Sequence, residues 1–176
     1  MKFCANCAAP VVKRVPPGDS LPRFVCAECG EIHYQNPRLV VGCIPELEGR
    51  LLLCRRAIEP RYGYWTLPAG FMENGETVAE GALRETLEEA GARVELGTAF
   101  SMISVPRVNQ VHVFFLARII DLELKPGDET LEIQLFEEDA VPWQEIAFRT
   151  VGMTLRCWFA DRSAGRFGLH VEDIAQ

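Results

Sequence analysis

One stretch restricts this chain more than any other. It runs Gly70-Phe-Met-Glu-Asn-Gly-Glu76-Thr-Val-Ala-Glu-Gly-Ala-Leu-Arg84-Glu85-Thr-Leu-Glu88-Glu89-Ala-Gly91. Thr77 followed three residues later by Glu80 is a capping box. Gly91 stands where a helix ends on a left-handed residue. Together they predict a helix over Val78–Ala90 fed by a loop. At about 100° per residue, Ala79, Leu83, Thr86, Leu87 and Ala90 share one face, expected to pack on a sheet. Glu85, Glu88 and Glu89 fall on the other face, beside the small surface of Val78, Gly81 and Ala82.

A helix selected only for stability would not carry this pattern. Three carboxylates near the C-terminal end oppose the macrodipole at roughly 0.3–1 kcal/mol each. They repel one another by a few tenths of a kcal/mol more, and Gly81 costs about 1 kcal/mol relative to alanine. A bound cation reverses that balance. Hard divalent ions take oxygen ligands, and Mg²⁺ keeps positions open for water and phosphate.

The spacing resembles the Nudix box. Gly70, Glu76, Arg84, Glu85, Glu88, Glu89 and Gly91 occupy its charged and glycine positions, while Thr86 and Ala92 replace aliphatic residues. The resemblance implies a Mg²⁺- or Mn²⁺-dependent pyrophosphohydrolase in which Glu85, Glu88 and Glu89, with the Gly70 carbonyl, are metal ligands. It implies that Arg84 orients Glu85 or Glu76, with Glu76 structural. The base is left open between Glu85, Glu88 and an acid of a later loop, Glu129 or Glu132; Glu132 stands with Glu85, Glu88 and Arg84 in the expected catalytic set. It also implies an α/β/α sandwich around a mixed sheet, over residues 36–176.

Cysteine spacing predicts a second unit. Cys4-x-x-Cys7 and Cys26-x-x-Cys29 form two knuckles in a proline-containing segment too short to bury a core alone. A structural Zn²⁺ on these four thiolates would supply the missing stability, so residues 1–35 read as a zinc ribbon. His33 is a less favoured substitute ligand. Cys43, Cys54 and Cys157 sit in apolar runs and read as packing residues.

Net charge is −7, and the central stretch holds six glutamates against one arginine. That local acidity suggests metal binding and argues against a nucleic-acid coat, which is basic; the small-molecule nucleotide substrate is what the resemblance implies. Lys13, Arg14 and Arg23 on the ribbon are a modest basic group. No stretch is long and apolar enough to cross a membrane, and no signal segment is visible, so a cytoplasmic location is expected. There is no Walker loop, dinucleotide GxGxxG, HExxH or GxSxG.

Around the box the chain resembles plant chloroplast and bacterial Nudix enzymes acting on FAD or ADP-ribose, which implies release of AMP. Residues 100–109 lack the motif of NADH pyrophosphatases. NADH, an RNA 5′ end, and a non-catalytic nucleotide-sensing regulator stand as alternatives. Relatives with a domain ahead of the box imply a homodimer. Strands are expected at 39–44, 51–56, 93–96, 99–104, 111–120 and 133–136, and a second helix from Phe148 to Asp161. Trp65 and His112 read as packing residues.

Overall fold

A computed structural model describes residues 1–121 and 123–174. Internal contacts divide the chain into two units, Met1–Pro37 and Arg38–Gln176. The first is a three-stranded antiparallel sheet of β1 (Val11–Arg14), β2 (Arg23–Cys26) and β3 (Ile32–His33). Its buried centre is small: Cys4, Val25 and Cys26.

The second unit contains β4 (Arg38–Leu47), β5 (Arg50–Arg56), β6 (Trp65–Thr66), β7 (Ala69–Phe71), α1 (Val78–Ala90), β8 (Val94–Val105), β9 (Gln110–Ile119), β10 (Thr130–Phe136), α2 (Arg149–Ala164) and β11 (His170–Asp173). The main sheet runs β10-β5-β4-β9-β8-β11. It is mixed: β4–β9 and β8–β11 are parallel, while the other pairs are antiparallel. β9 is interior, as its apolar sequence predicts.

Side-chain alternation along each strand builds the layers. Ile44, Leu51, Leu53 and Phe114 face one way and pack with Val151, Leu155, Trp158 and Phe159 of α2. Val41, Cys43 and Ala117 face the other way and meet Ala82 of α1. Leu52 and Cys54 meet Ala90 on that same side. The result is the α/β/α sandwich expected.

Two details depart from expectation. The strands expected at 93–96 and 99–104 are one strand, β8, with register shifts between Leu96 and Ser101 that let it bend. β11 was not anticipated; its pattern is mostly exposed and gives no alternation to detect.

The sheet also opens to form the site. β4 and β5 leave their hairpin paired only at Glu46–Leu51 and Leu47–Arg50. Beyond that they splay, and short strands fill the gap. β6 pairs with β5, and β7 pairs with β4 through Val40–Phe71, Val41–Gly70 and Gly42–Ala69. The segment leading to α1 is thereby threaded into the sheet itself.

Leu155 lies at the centre of the α2-side core and is fully buried. Leu155→Ala is expected to cost about 2–5 kcal/mol of unfolding free energy. Urea denaturation followed by tryptophan fluorescence measures it, and a loss below 1 kcal/mol would mean that the α2 layer is not packed as described.

Candidate active site

Helix α1 forms with the predicted limits and caps. The Thr77 side chain accepts from Glu80 N–H, the Glu80 carboxylate accepts from Thr77 N–H, and Gly91 closes the helix with φ 62°. Its orientation, however, corrects the helical-wheel expectation. Leu83 and Leu87 are 37% and 51% exposed, whereas Gly81, Ala82, Thr86, Glu89 and Ala90 are buried. The small residues, not the leucines, lie against the sheet. The reason is close approach: a methyl at Gly81 would sit 2.8 Å from Val41 Cγ2 and 2.6 Å from a Glu76 oxygen. A leucine face would hold the helix away from the segment that it must touch.

That approach carries the acids inward. Glu89 is 8% exposed and accepts a 3.1 Å hydrogen bond from Ala69 N–H. Burial pushes its carboxyl up to about 8, despite that bond, and the Glu85 charge adds to the rise. Glu85 is half-buried and also raised by burial, with Arg84 opposing the shift. A Cβ on Gly70 would overlap the Glu85 carboxylate, so only glycine admits β7 so close to α1.

Arg84 is the hub. Its Nε and Nη2 donate to Glu76 at 3.0 and 2.8 Å, and its Nη1 to Glu85 at 2.7 Å and Glu88 at 3.0 Å. Nη2 also donates to the Phe71 carbonyl at 3.1 Å. Glu76 further accepts from Glu73 N–H, and these bonds, Arg84 first, hold its carboxyl down at about 2. Both partners anticipated for Arg84 are therefore engaged. The three carboxylates do not close on one point: Arg84 stands between Glu85 and Glu88. Among the described residues, the one acidic or thiol group of three or more with ligand atoms mutually within 4.8 Å is Cys4, Cys7, Cys26 and Cys29.

A cleft of about 1610 Å³ opens over these residues, lined by Gly70, Arg84, Glu85, Glu88 and Glu89. Glu129 also lines it and contributes to raising both Glu85 and Glu89. Glu132 does not line it. It lies on β10, 3.5 Å from Arg55, past the register shift between Thr130 and Glu132, whereas Glu129 precedes the strand. Of the two acids expected from the later loop, the fold brings in Glu129 alone.

The Glu129 loop is bonded to the end of α1. Lys125 N–H donates to Ala90 C=O at 3.0 Å, and Gly127 N–H to Glu89 C=O at 3.1 Å. These satisfy carbonyls that the helix leaves free. A Cβ on Gly127 would overlap the Glu88 carbonyl, so this contact also requires glycine. In the sequence, Pro126-Gly-Asp looks like any turn, and nothing local marks Gly127. Arg56 was missed for the same reason. It lines the cleft with Nε donating to the Pro60 carbonyl at 2.9 Å and its guanidinium 5.0 Å over the Phe148 ring.

On the far wall, His112 is buried as expected. Its Nδ1 lies 3.0 Å from Thr150 Oγ1 and its Nε2 lies 3.0 Å from Gln110 Oε1. Burial pushes it down to about 4, so the ring is neutral at pH 7.

The donor chemistry fits the two kinds of ion. The carboxylates and the Gly70 carbonyl are hard oxygen donors suited to Mg²⁺ or Mn²⁺, and a divalent charge would relieve the burial of Glu85 and Glu89. In the ribbon, Cys4–Cys29, Cys7–Cys26 and Cys7–Cys29 sulfurs lie 3.7, 3.5 and 3.5 Å apart. Tetrahedral Zn–S bonds of about 2.3 Å require S···S separations of about 3.8 Å. His33 Nε2 is 3.3 Å from Cys4 Sγ and supports that thiol from outside the four-sulfur set.

The comparisons agree with this geometry. Residues 36–154 match the NUDIX domain, and residues 2–35 match the zinc-ribbon Nudix N-terminal domain. An ADP-ribose pyrophosphatase of Methanocaldococcus jannaschii is 35% identical over 113 residues, covering 62% of this chain and 67% of that protein. A NAD-capped RNA hydrolase NudC of Chromobacterium violaceum is 34% identical over 144 residues, covering 80% of this chain and 52% of its own length. The chain thus spans about half the length of that relative. A NUDIX hydrolase crystal structure from Nitrosomonas europaea is 50% identical with a TM-score of 0.96, and the match covers all of both chains.

Two outcomes are expected. The folded pKa of His112 lies below its unfolded value, so the unfolded chain binds the proton first. Stability is therefore lost as pH falls from about 6.5 towards about 4. The loss is on the order of 1–2 kcal/mol after solvent screening and is missing from His112→Gln, as urea titrations at each pH would measure. Chelation should remove one Zn²⁺ per chain and make the ribbon amides exchange freely with solvent; protection that survives metal loss would contradict a structural role.

Proposed function

The chain belongs to the NUDIX hydrolase family, pyrophosphohydrolases of phosphoanhydride bonds, and on that basis we propose that it splits ADP-ribose-type nucleoside diphosphates with Mg²⁺ or Mn²⁺, releasing AMP. The observation that carries this reading is the meeting of half-buried Glu85, buried Glu89 and Glu129 across one cleft beside Gly70. Carboxylates raised by burial and mutual repulsion suit cation binding, and a bound divalent cation polarises a phosphoryl oxygen and activates water.

The remaining work belongs to the chain. Glu85, Glu88, Glu89 and the Gly70 carbonyl are the proposed ligands. Glu129 faces them and is the proposed base, since it alone of these acids stands outside the helix. Arg84 keeps Glu85 and Glu88 oriented, and its bonds to carboxylates and Phe71 leave it no role on the substrate. Arg56 is different. It pairs with no carboxylate within 4.0 Å among the described residues, although Glu89 is near enough to feel its charge. Held by Phe148 and Pro60, it is the proposed phosphate-holding arginine.

ADP-ribose is favoured over FAD by the similarity to an ADP-ribose pyrophosphatase over most of that protein. The NudC likeness supports a second reading, hydrolysis at a nucleotide-capped RNA end. AMP release from ADP-ribose, FAD, NADH and NAD-capped RNA at millimolar Mg²⁺ or Mn²⁺ decides among them. Turnover of none would remove the proposal.

Glu88→Gln and Glu129→Gln are expected to lower kcat by about 10²-fold or more while the circular dichroism is unchanged. Arg56→Gln should lower kcat/KM by about 10–100-fold without altering Mn²⁺ affinity measured by electron paramagnetic resonance. Full activity in Glu129→Gln would return the base to the helix.

A further inference from the structure

The far wall of the cleft has a chemistry that the hydrolysis of a plain diphosphate does not use. Its polar floor is Gln110, His112 and Thr150, and Arg107 and Arg149 stand beside it, all lining the same cleft. The hydrogen-bond logic of the floor is closed. His112 is neutral, so one ring nitrogen donates and the other accepts. Gln110 Oε1 can only accept, so Nε2–H of His112 must donate to it at 3.0 Å. Nδ1 then accepts from the Thr150 hydroxyl at 3.0 Å. The ring thus fixes Gln110 with its oxygen occupied and its amide hydrogens left to donate.

The neighbours are donors as well. Arg107 and Arg149 have no carboxylate within 4.0 Å among the described residues, although six acids line the cleft. The first turn of α2, which begins at Arg149, contains no acidic residue and has no side-chain cap. Its positive end therefore adds to the same field. Amide hydrogens, two guanidinium groups and a helix start form a set of donors with no matching acceptors. The ligand that completes it is an anion rich in acceptor oxygens.

The strand register gives the separation. Val40 pairs with Phe71 on one side and His112 on the other. The backbone of β9 at His112 thus stands two strand spacings, about 10 Å, from that of β7 at Phe71. The donor set beside His112 is thus distinct from the Glu85 and Glu89 carboxylates, which meet the backbone at Gly70 and Ala69. We propose that Gln110, Arg107 and Arg149 form a second anion subsite, and that the substrate bears a further phosphate on its nucleoside beyond the diphosphate that is cleaved. This deepens the reading above and rests on it for the reaction. The further phosphate is either a phosphomonoester on the ribose of a small nucleotide or the first phosphodiester of an RNA chain.

Matched pairs test it. Rates would be compared for ADP-ribose and 2′-phospho-ADP-ribose, for dephospho-coenzyme A and coenzyme A, and for an NAD cap alone and one extended by two nucleotides. The phosphate-bearing member should be preferred in kcat/KM by about tenfold or more in at least one pair. In Arg107→Gln/Arg149→Gln that ratio should fall towards one, and in Gln110→Glu it should invert. A preference in the first two pairs assigns the phosphomonoester; a preference in the third alone assigns the RNA chain. No preference in any pair, or a preference that survives the double variant, overturns the subsite. Were no member hydrolysed, the reaction reading would fail separately, and calorimetric binding of the same pairs with Ca²⁺ would decide the subsite: tighter binding of the phosphorylated member, lost in the double variant, supports it, and equal binding overturns it.

Discussion

The close seating of α1 on the opened sheet is the contact on which the site depends. It is made by what is missing from the helix: side chains at Gly81 and, across the gap, at Gly70. Hydrophobic area is given up, since Leu83 and Leu87 remain exposed. In exchange, a carboxylate at position 89 reaches the Ala69 amide, and one at position 85 reaches the strand end that faces the cleft. A larger interface would be more stabilising at about 25 cal/mol per Å², yet it would separate the acids from the backbone that they serve.

Seating acids this way is costly without compensation. Arg84 supplies part of it by joining Glu76, Glu85 and Glu88 into one network that also ties down the Phe71 carbonyl. Bonds to charged groups at this spacing are stronger than neutral ones. The loop after residue 124 supplies another part by satisfying the free carbonyls of Glu89 and Ala90. The same loop carries Glu129, so the acid that faces the helix is anchored to the helix. Position and compensation come from one set of bonds.

The opposite wall works by other means. Burial keeps His112 neutral, and a neutral ring can orient an amide on one side and a hydroxyl on the other. The two walls thus differ in sign: carboxylates at the α1 end, and donors at the other. Among the described residues no ion pair joins the two walls, and those of Arg84 stay within the acidic one.

Some of this was readable from the chain alone. The helix limits followed from Thr77, Glu80 and Gly91, because caps are local chemistry. The reaction class followed from seven residues at fixed spacing, and the ribbon from four cysteines, because ligand sets repeat along the chain. The helix face did not follow. A hydrophobicity argument chose the leucines, and the real choice was set by steric closeness to β7, which no helical wheel contains. Glu129 and Glu132 were equally good in sequence; the pairing of Glu132 with Arg55 on β10 and a bond from Ala57 N–H to the Glu129 carbonyl ahead of that strand separated them. Arg56, Gly127 and the Gln110–His112–Thr150 chain have no local signature. Their partners are 2 to 92 residues away, and tertiary packing brings them to one cleft. Spacing along the chain therefore determined the family and its reaction class, while the meeting of distant strands decided which side chains share the cleft.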